Sequence, residues 1–293
     1  MKIQQFNISF CIAICICVLS SCKKDGNPNN LPDVSAAEYE GKIDGFTSSE
    51  EIYPNNMVAY WNFDGNKNEM KSSTAPTASA NDVFVPDGVR GQAISLTGGY
   101  IYYAKQLNAF KTDSFKSFTI STWVKILNNG SKRTMLFQLA RPAMFTGNIN
   151  FALNTNSFPA SNINELKIQP TFTTVGGGTQ DNLNNVLSPK IGSAKWTHVA
   201  LTYNGGTGIF DIWADGFKIG GYPSRGTGNN LFKSWEPNEV IIGSNYNGIP
   251  GKQVNSDVSF APMTGQIDEV RIYNIPLPDA YVRALYNLGV AHK

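Results

Sequence analysis

The chain has 293 residues, 41% hydrophobic and 12% aromatic, which is enough apolar surface to build a core and excludes disorder as its overall state. Only 16% of residues are charged, and 24 Lys and Arg against 22 Asp and Glu leave a net charge of +2, too little to gather nucleic acid, which is set aside as a partner. Two histidines, His198 and His292, rule out a His-rich catalytic metal site and leave acid/base chemistry to carboxylates.

All four cysteines, Cys11, Cys15, Cys17 and Cys22, fall in the opening segment, so no disulfide staples the remainder. The apolar run from Phe6 to Leu19 is too short to cross a bilayer as a helix and has the length of a secretory h-region. Leu19-Ser20-Ser21-Cys22 resembles a bacterial lipobox. That resemblance implies a signal peptide over residues 1–22, acylation of Cys22, and a protein tethered to the membrane and not spanning it. The alternative is an ordinary cleaved signal that leaves Cys22 a free thiol. Lys23-Lys24-Asp25 is similar to the lysine-plus-acid signal that sends some lipoproteins of Bacteroidetes-type bacteria to the exterior, implying the surface of the outer membrane. Residues 23–56 are rich in Gly, Pro, Asn, Ser and acids without a period of 2 or 3.6, and are expected to form a flexible linker. Residues 57–293 have the length of one domain.

Strand signals dominate that domain. In Val58-Ala59-Tyr60-Trp61-Asn62-Phe63 the residues Trp61 and Phe63 share a face, and Asp64-Gly65 supplies a turn. Further strands are expected at 93–96, 99–103 and 117–125, the last apolar on both parities as if covered on both faces. They continue at 134–140, 150–154, 165–172, 196–203, 209–214, 217–219, 239–242 and 265–273. Asn204-Gly205 and Asp215-Gly216 predict type I′ hairpins. One helix is expected near the end, with Pro278 in its first turn, Tyr281, Leu285 and Leu288 on its apolar face and Gly289 at C′. The pattern predicts an all-β, two-sheet antiparallel sandwich or jelly roll with one short C-terminal helix.

Six segments carry a resemblance: 60–65 (Tyr-Trp-Asn-Phe-Asp-Gly), 91–96, 117–125 (Ser-Phe-Thr-Ile-Ser-Thr-Trp-Val-Lys), 196–205, 212–216 and 265–274 (Gly-Gln-Ile-Asp-Glu-Val-Arg-Ile-Tyr-Asn). In this order they resemble the laminin G-like domains of the concanavalin A-like lectin/glucanase superfamily, over residues 57–288. The resemblance implies two curved antiparallel sheets and a surface module that binds glycans or other macromolecules, without deciding between lectin, hydrolase and adhesion roles. In relatives, an acid near the domain start and an Asp at the start of the last strand join glycine-loop carbonyls around a structural calcium ion. Carried over, this makes Asp64, Asp268 and Gly91 candidate ligands. The alternative is that Asp64 caps its own turn and Asp268 bonds loop amides.

Laminarinase-type members of the superfamily use a Glu-x-Asp-x-Glu strand. Here Glu69, Glu165, Glu236, Glu239 and Glu269 never form it, and Asp268-Glu269 are expected to face opposite sides of their strand. Glu236 and Glu239 read as loop acids, and His198 as a half-buried strand residue bonded to a neighbour. No catalytic residue is therefore assigned, and no zinc, haem or nucleotide motif is present. Glycan recognition calls for aromatic platforms beside amides and charges. Phe145, Tyr222, Trp235 and Tyr246, beside Arg141, Asn150, Asn229, Asn230, Asn245 and Asn247, suit it best, with Trp235, Tyr246, Arg141 and Asn245 as the leading set. Trp61, Trp123, Trp196 and Trp213 read as core. The expected function is a non-catalytic surface lipoprotein that binds carbohydrate or another extracellular macromolecule. The alternatives are a diverged glycoside hydrolase or a protein-binding adhesion module.

Overall fold

The computed structural model describes residues 40–126, 132–154, 167–182 and 195–293. The chain divides into units 1–41 and 42–293. The first, with Cys22 and the linker's start, lies almost wholly outside the described residues, as does Glu165. No helix among the described residues is long and apolar enough to cross a membrane.

The alternating and β-branched runs form β1 (Met57–Trp61), β2 (Ala78–Val85), β3 (Ala93–Tyr103), β4 (Phe118–Ile126), β5 (Arg133–Ala140), β6 (Ile149–Asn154) and β7 (Lys167–Thr173). They continue as β8 (Thr179–Asp181), β9 (Thr197–Tyr203), β10 (Phe210–Ala214), β11 (Phe217–Tyr222), β12 (Glu239–Ile242), β13 (Phe260–Ala261) and β14 (Met263–Tyr273). The strand order is β11-β10-β9-β4-β14-β3-β12-β5-β6-β7-β8, with β1 on β14, β2 on β3 and β13 on β5. Only the β13–β5 pair is parallel among the described strands. The sheet curls until its ends oppose: Phe172 of β7 meets Tyr203 of β9 at 4.9 Å and Phe210 of β10 at 5.8 Å. Two layers result, enclosing one core that includes Trp61, Ile94, Val124, Leu136, Phe151 and Val199.

Helix α1 (Asp279–Val290) covers one outer face, where Leu285 and Leu288 pack with Ala200, Trp213 and Tyr273. This second cover explains why β4 is apolar on both parities: Val124 enters the core while Trp123 stacks on Tyr286 at 5.7 Å. Gly289 lies inside α1 and not at C′. The Trp123 indole occupies the space a Cβ there would need, so the glycine serves close approach.

The Asp215-Gly216 hairpin has the expected geometry, with φ of 48° and 75° and Ala214 opposite Phe217. Asn204-Gly205 does not. The Asn204 side-chain oxygen accepts the Gly206 and Thr207 N–H groups at 2.9 and 3.2 Å, and the wider loop closes at Ile209. Segments 93–96 and 99–103 are one strand, β3, and β2 escaped prediction because its residues are partly exposed and broken by a bulge at Asn81.

The predicted linker is shorter than its expected end at residue 56. Ile52 is fully buried with Met57, Tyr60 and Leu277, and Phe46 and Tyr53 pack on Tyr281 at 5.8 and 4.8 Å. Ile43, Phe46 and Ile52 are aperiodic but apolar enough to dock on α1.

Candidate ligand-binding site

The outer face of β5, β6, β7 and β8 carries the most distinctive polar chemistry. Ile149, Phe151 and Leu153 of β6 and Ile168 and Phe172 of β7 point into the core, so alternation turns Asn150, Ala152, Gln169 and Thr171 outward. Gln138, Asn150 and Thr171 stand opposite one another across three strands. Gln138 Nε2 donates to Asn150 Oδ1 at 2.8 Å, and Asn150 Nδ2 donates to Thr171 Oγ1 at 2.8 Å. Beside this row, Gln169 Nε2 donates to the Asp181 carboxylate at 2.9 Å.

Two loops wall this face. The β5–β6 connection brings Phe145, whose carbonyl accepts from Gln138 Nε2 at 3.1 Å, and the segment between β12 and β14 brings Asn245 and Phe260. The two phenyl rings meet edge to face at 5.8 Å. Together they wall a cavity of about 110 Å³ that is also lined by Met135 and Ala152 and by the polar side chains of Arg133, Asn150, Gln169, Thr171 and Thr179. That is room for several water molecules. Three buried polar atoms at or beside the cavity lack a partner: Arg133 Nε, Gln138 Oε1 and Asn245 Nδ2. Unpaired buried polar groups are costly, so each of these marks strain in the wall around the cavity.

Of the leading predicted set, only Asn245 lines this cavity. Arg141 and Trp235 do come together, but Trp235 is half-buried as a loop anchor. Its Nε1 donates to the Thr174 carbonyl at 3.2 Å, and its ring carries the Lys233 ammonium at 3.7 Å and the Arg141 guanidinium at 5.4 Å. Tyr246 is no surface platform. It is 2% exposed in a satellite cluster with Tyr100, Tyr102 and Ile241, and its hydroxyl donates to Glu239. Asn150 and Phe145, both read from the sequence, line the cavity; Arg133, Gln169, Thr171 and Phe260, which line it too, were missed, as was Gln138, which bonds Asn150 beside it. The signal for several was present in the amides and hydroxyls at alternate positions of β6 and β7.

The three predicted metal-site residues converge on the loop before β3. Asp64 Oδ1 accepts the Gln92 N–H at 2.7 Å, and Asp268 Oδ2 accepts the Val89 N–H at 2.7 Å. Gly91, at φ 58°, lies so close to Asp64 that a Cβ would collide with the carboxylate. The loop thus turns N–H groups toward both acids, and the Gly91 carbonyl accepts the Gly88 N–H at 3.2 Å. Burial, then the neighbouring Glu269 charge, push Asp268 up to about 8.

The remaining acids hold structure. Glu69 accepts the backbone N–H groups of Tyr60, Lys71 and Ser72 at 2.9, 2.8 and 2.7 Å. Glu239 opens β12 and is buried against Tyr102 and Tyr246, so it is not a loop acid; Glu236 is exposed and accepts from Gln106 at 2.7 Å. A bulge in β14 lets both Asp268 and Glu269 reach Arg90, the first through its backbone N–H at 3.3 Å and the second through its guanidinium at 3.6 Å. His198 is fully buried, its Nε2 lies 2.8 Å from Ser121 Oγ, and its Nδ1 lacks a partner, so no acid completes a triad. Burial, then Arg271, push its pKa down to about 3.

The family model described as the concanavalin A-like lectin/glucanases superfamily matches residues 97–283, more than half of the chain. The chain belongs to this superfamily. Similar solved structures share its fold. Domain 4 of AbnA, an extracellular arabinanase from Geobacillus stearothermophilus in complex with arabinotriose, is 18% identical at a TM-score of 0.51, covering 79% of this chain and 98% of that one. The binding domain of Paraclostridial Mosquitocidal Protein 1 is 16% identical at 0.56, covering 80% and 52%. The binding domain of botulinum neurotoxin DC, in complex with rat synaptotagmin II, is 14% identical at 0.53, covering 81% and 52%. The chain thus spans about half the length of these toxin domains. No curated protein compared with the chain matches it.

Proposed function

We propose that this superfamily domain is a non-catalytic glycan-binding module, displayed on the outer membrane surface by a lipid anchor at Cys22. The carrying observation is the cavity on the polar outer face, with its phenyl wall and its amides. Sugars offer hydroxyls to such amides and C–H faces to such rings. Among the described residues the cavity lining holds no Asp or Glu, whereas glycoside hydrolysis needs two. The arabinotriose held by the arabinanase domain supports a glycan ligand.

The proposal includes a structural calcium ion at Asp64, Gly91 and Asp268. The oxygen donors there suit a hard cation, and among the described residues no Lys or Arg forms an ion pair with buried Asp268. The loop's N–H groups would have to turn from the carboxylates to admit it. Affinity electrophoresis against a polysaccharide panel, with a reducing-sugar assay, tests the main reading. Retardation without sugar release is expected, weakened by Phe260→Ala and Asn245→Ala. Sugar release would make the protein an enzyme, and neither retardation nor release would favour a protein partner.

A further inference from the structure

Resting on the glycan-binding reading, we infer that the sugar seated in this cavity carries a carboxylate, read by Arg133 and Asn245: the ligand is a uronic acid unit of an acidic polysaccharide. Arg133 opens β5 with its guanidinium 4.6 Å from the Phe260 ring centre, and its Nη2 donates to Ser259 Oγ at 3.3 Å. Its buried Nε has no partner, and among the described residues it forms no ion pair. Asp257 senses its charge but accepts the Ser259 N–H at 2.7 Å, and lies outside the cavity lining. Asn245, which lines the same cavity, is 3% exposed and its Nδ2 is also unpartnered.

Arg133, a cation that forms no ion pair among the described residues, and the Asn245 amide thus line one cavity whose lining supplies no carboxylate, the Asp181 carboxylate on the same sheet face being held by Gln169 Nε2 at 2.9 Å. A neutral hydroxyl can accept from such donors but leaves the guanidinium charge uncompensated. A carboxylate accepts from both and neutralises it, with the stronger hydrogen bonds of a charged acceptor. The phenyl pair then faces the sugar's C–H surface, and the amide row faces its hydroxyls.

Calorimetric titration with trimers of galacturonate, glucuronate and mannuronate, each against its neutral hexose trimer, tests this. At low salt at least one uronate is expected to bind about tenfold or more tightly than its counterpart, an advantage that shrinks in high salt. Arg133→Gln is expected to abolish the advantage, bringing the uronate down to the affinity of its neutral counterpart in the same variant. Thr179→Glu, on an exposed residue at the rim, is expected to weaken the uronate more than its neutral counterpart by like-charge repulsion, which tests the inference even if Arg133→Gln fails to fold. Neutral trimers binding as tightly as uronates would overturn the inference and leave the glycan-binding reading standing. No binding of any trimer would overturn both. A uronate advantage that survives Thr179→Glu would place the carboxylate elsewhere and overturn the assignment.

Discussion

Arg271→Leu tests whether a buried charge cluster ties the predicted linker to the sandwich. Arg271 and Glu269 are 3% and 1% exposed and paired in β14. The guanidinium also donates to Ser49 Oγ at 2.9 Å and Tyr60 Oη at 3.2 Å, and lies 3.7 Å from Glu50. Leucine fills the space but leaves Glu269 with the Tyr60 hydroxyl and the more distant Arg90. Removing one partner of a buried pair costs about 3–5 kcal/mol. At about 2–4 °C per kcal/mol for a domain of this size, the melting temperature is expected to fall by roughly 6–20 °C. Urea unfolding gives the free energy, and a Glu269→Gln/Arg271→Leu double variant completes the cycle. It is expected to recover part of the loss, because no buried charge is then left alone. A single-variant loss below about 1 kcal/mol, or a double variant worse than the two singles summed, would refute the reasoning.

His198 is uncharged in the fold, with its pKa down at about 3 against an ordinary 6.5. Its contribution is complete above about pH 6.5 and is lost as pH falls toward 3, so urea unfolding at pH 4.5 is expected to cost the wild type about 2–3 kcal/mol more than His198→Gln; equal losses would count against it. Gly289→Ala improves helix propensity yet places a Cβ against Trp123, and is expected to lower stability by about 1–3 kcal/mol in denaturant titration, whereas a gain would show that the contact yields freely. Calcium is expected to raise the melting temperature of the wild type and not of Asp64→Ala, with chelation reversing the rise; identical melts with and without chelator would remove the proposed ion. Metabolic labelling with palmitate is expected to mark the protein and spare Cys22→Ser, and labelling of both would move the anchor elsewhere.

The sandwich was legible where strands are covered on both faces, because β4 and β9 then consist almost wholly of apolar and β-branched residues. Segment 43–56 was not, since three apolar side chains without a period look like linker until a helix lies beneath them. The site was harder still. It draws on Arg133, Gln169, Asn245 and Phe260, which no local spacing links. Asn245 and Tyr246 show why loop aromatics mislead: of these neighbours, the amide lines the cavity and the ring enters an apolar cluster where Glu239 accepts its hydroxyl. What could be read was the polar parity of β6 and β7, which marks a sheet face kept for something other than packing.

A crystal structure of the protein soaked with the oligosaccharide that retards it most is the direct measurement. The prediction is a sugar ring in the cavity in contact with Phe145, Asn245 and the Arg133 guanidinium; a bound sugar elsewhere, with the cavity holding only water, would contradict it.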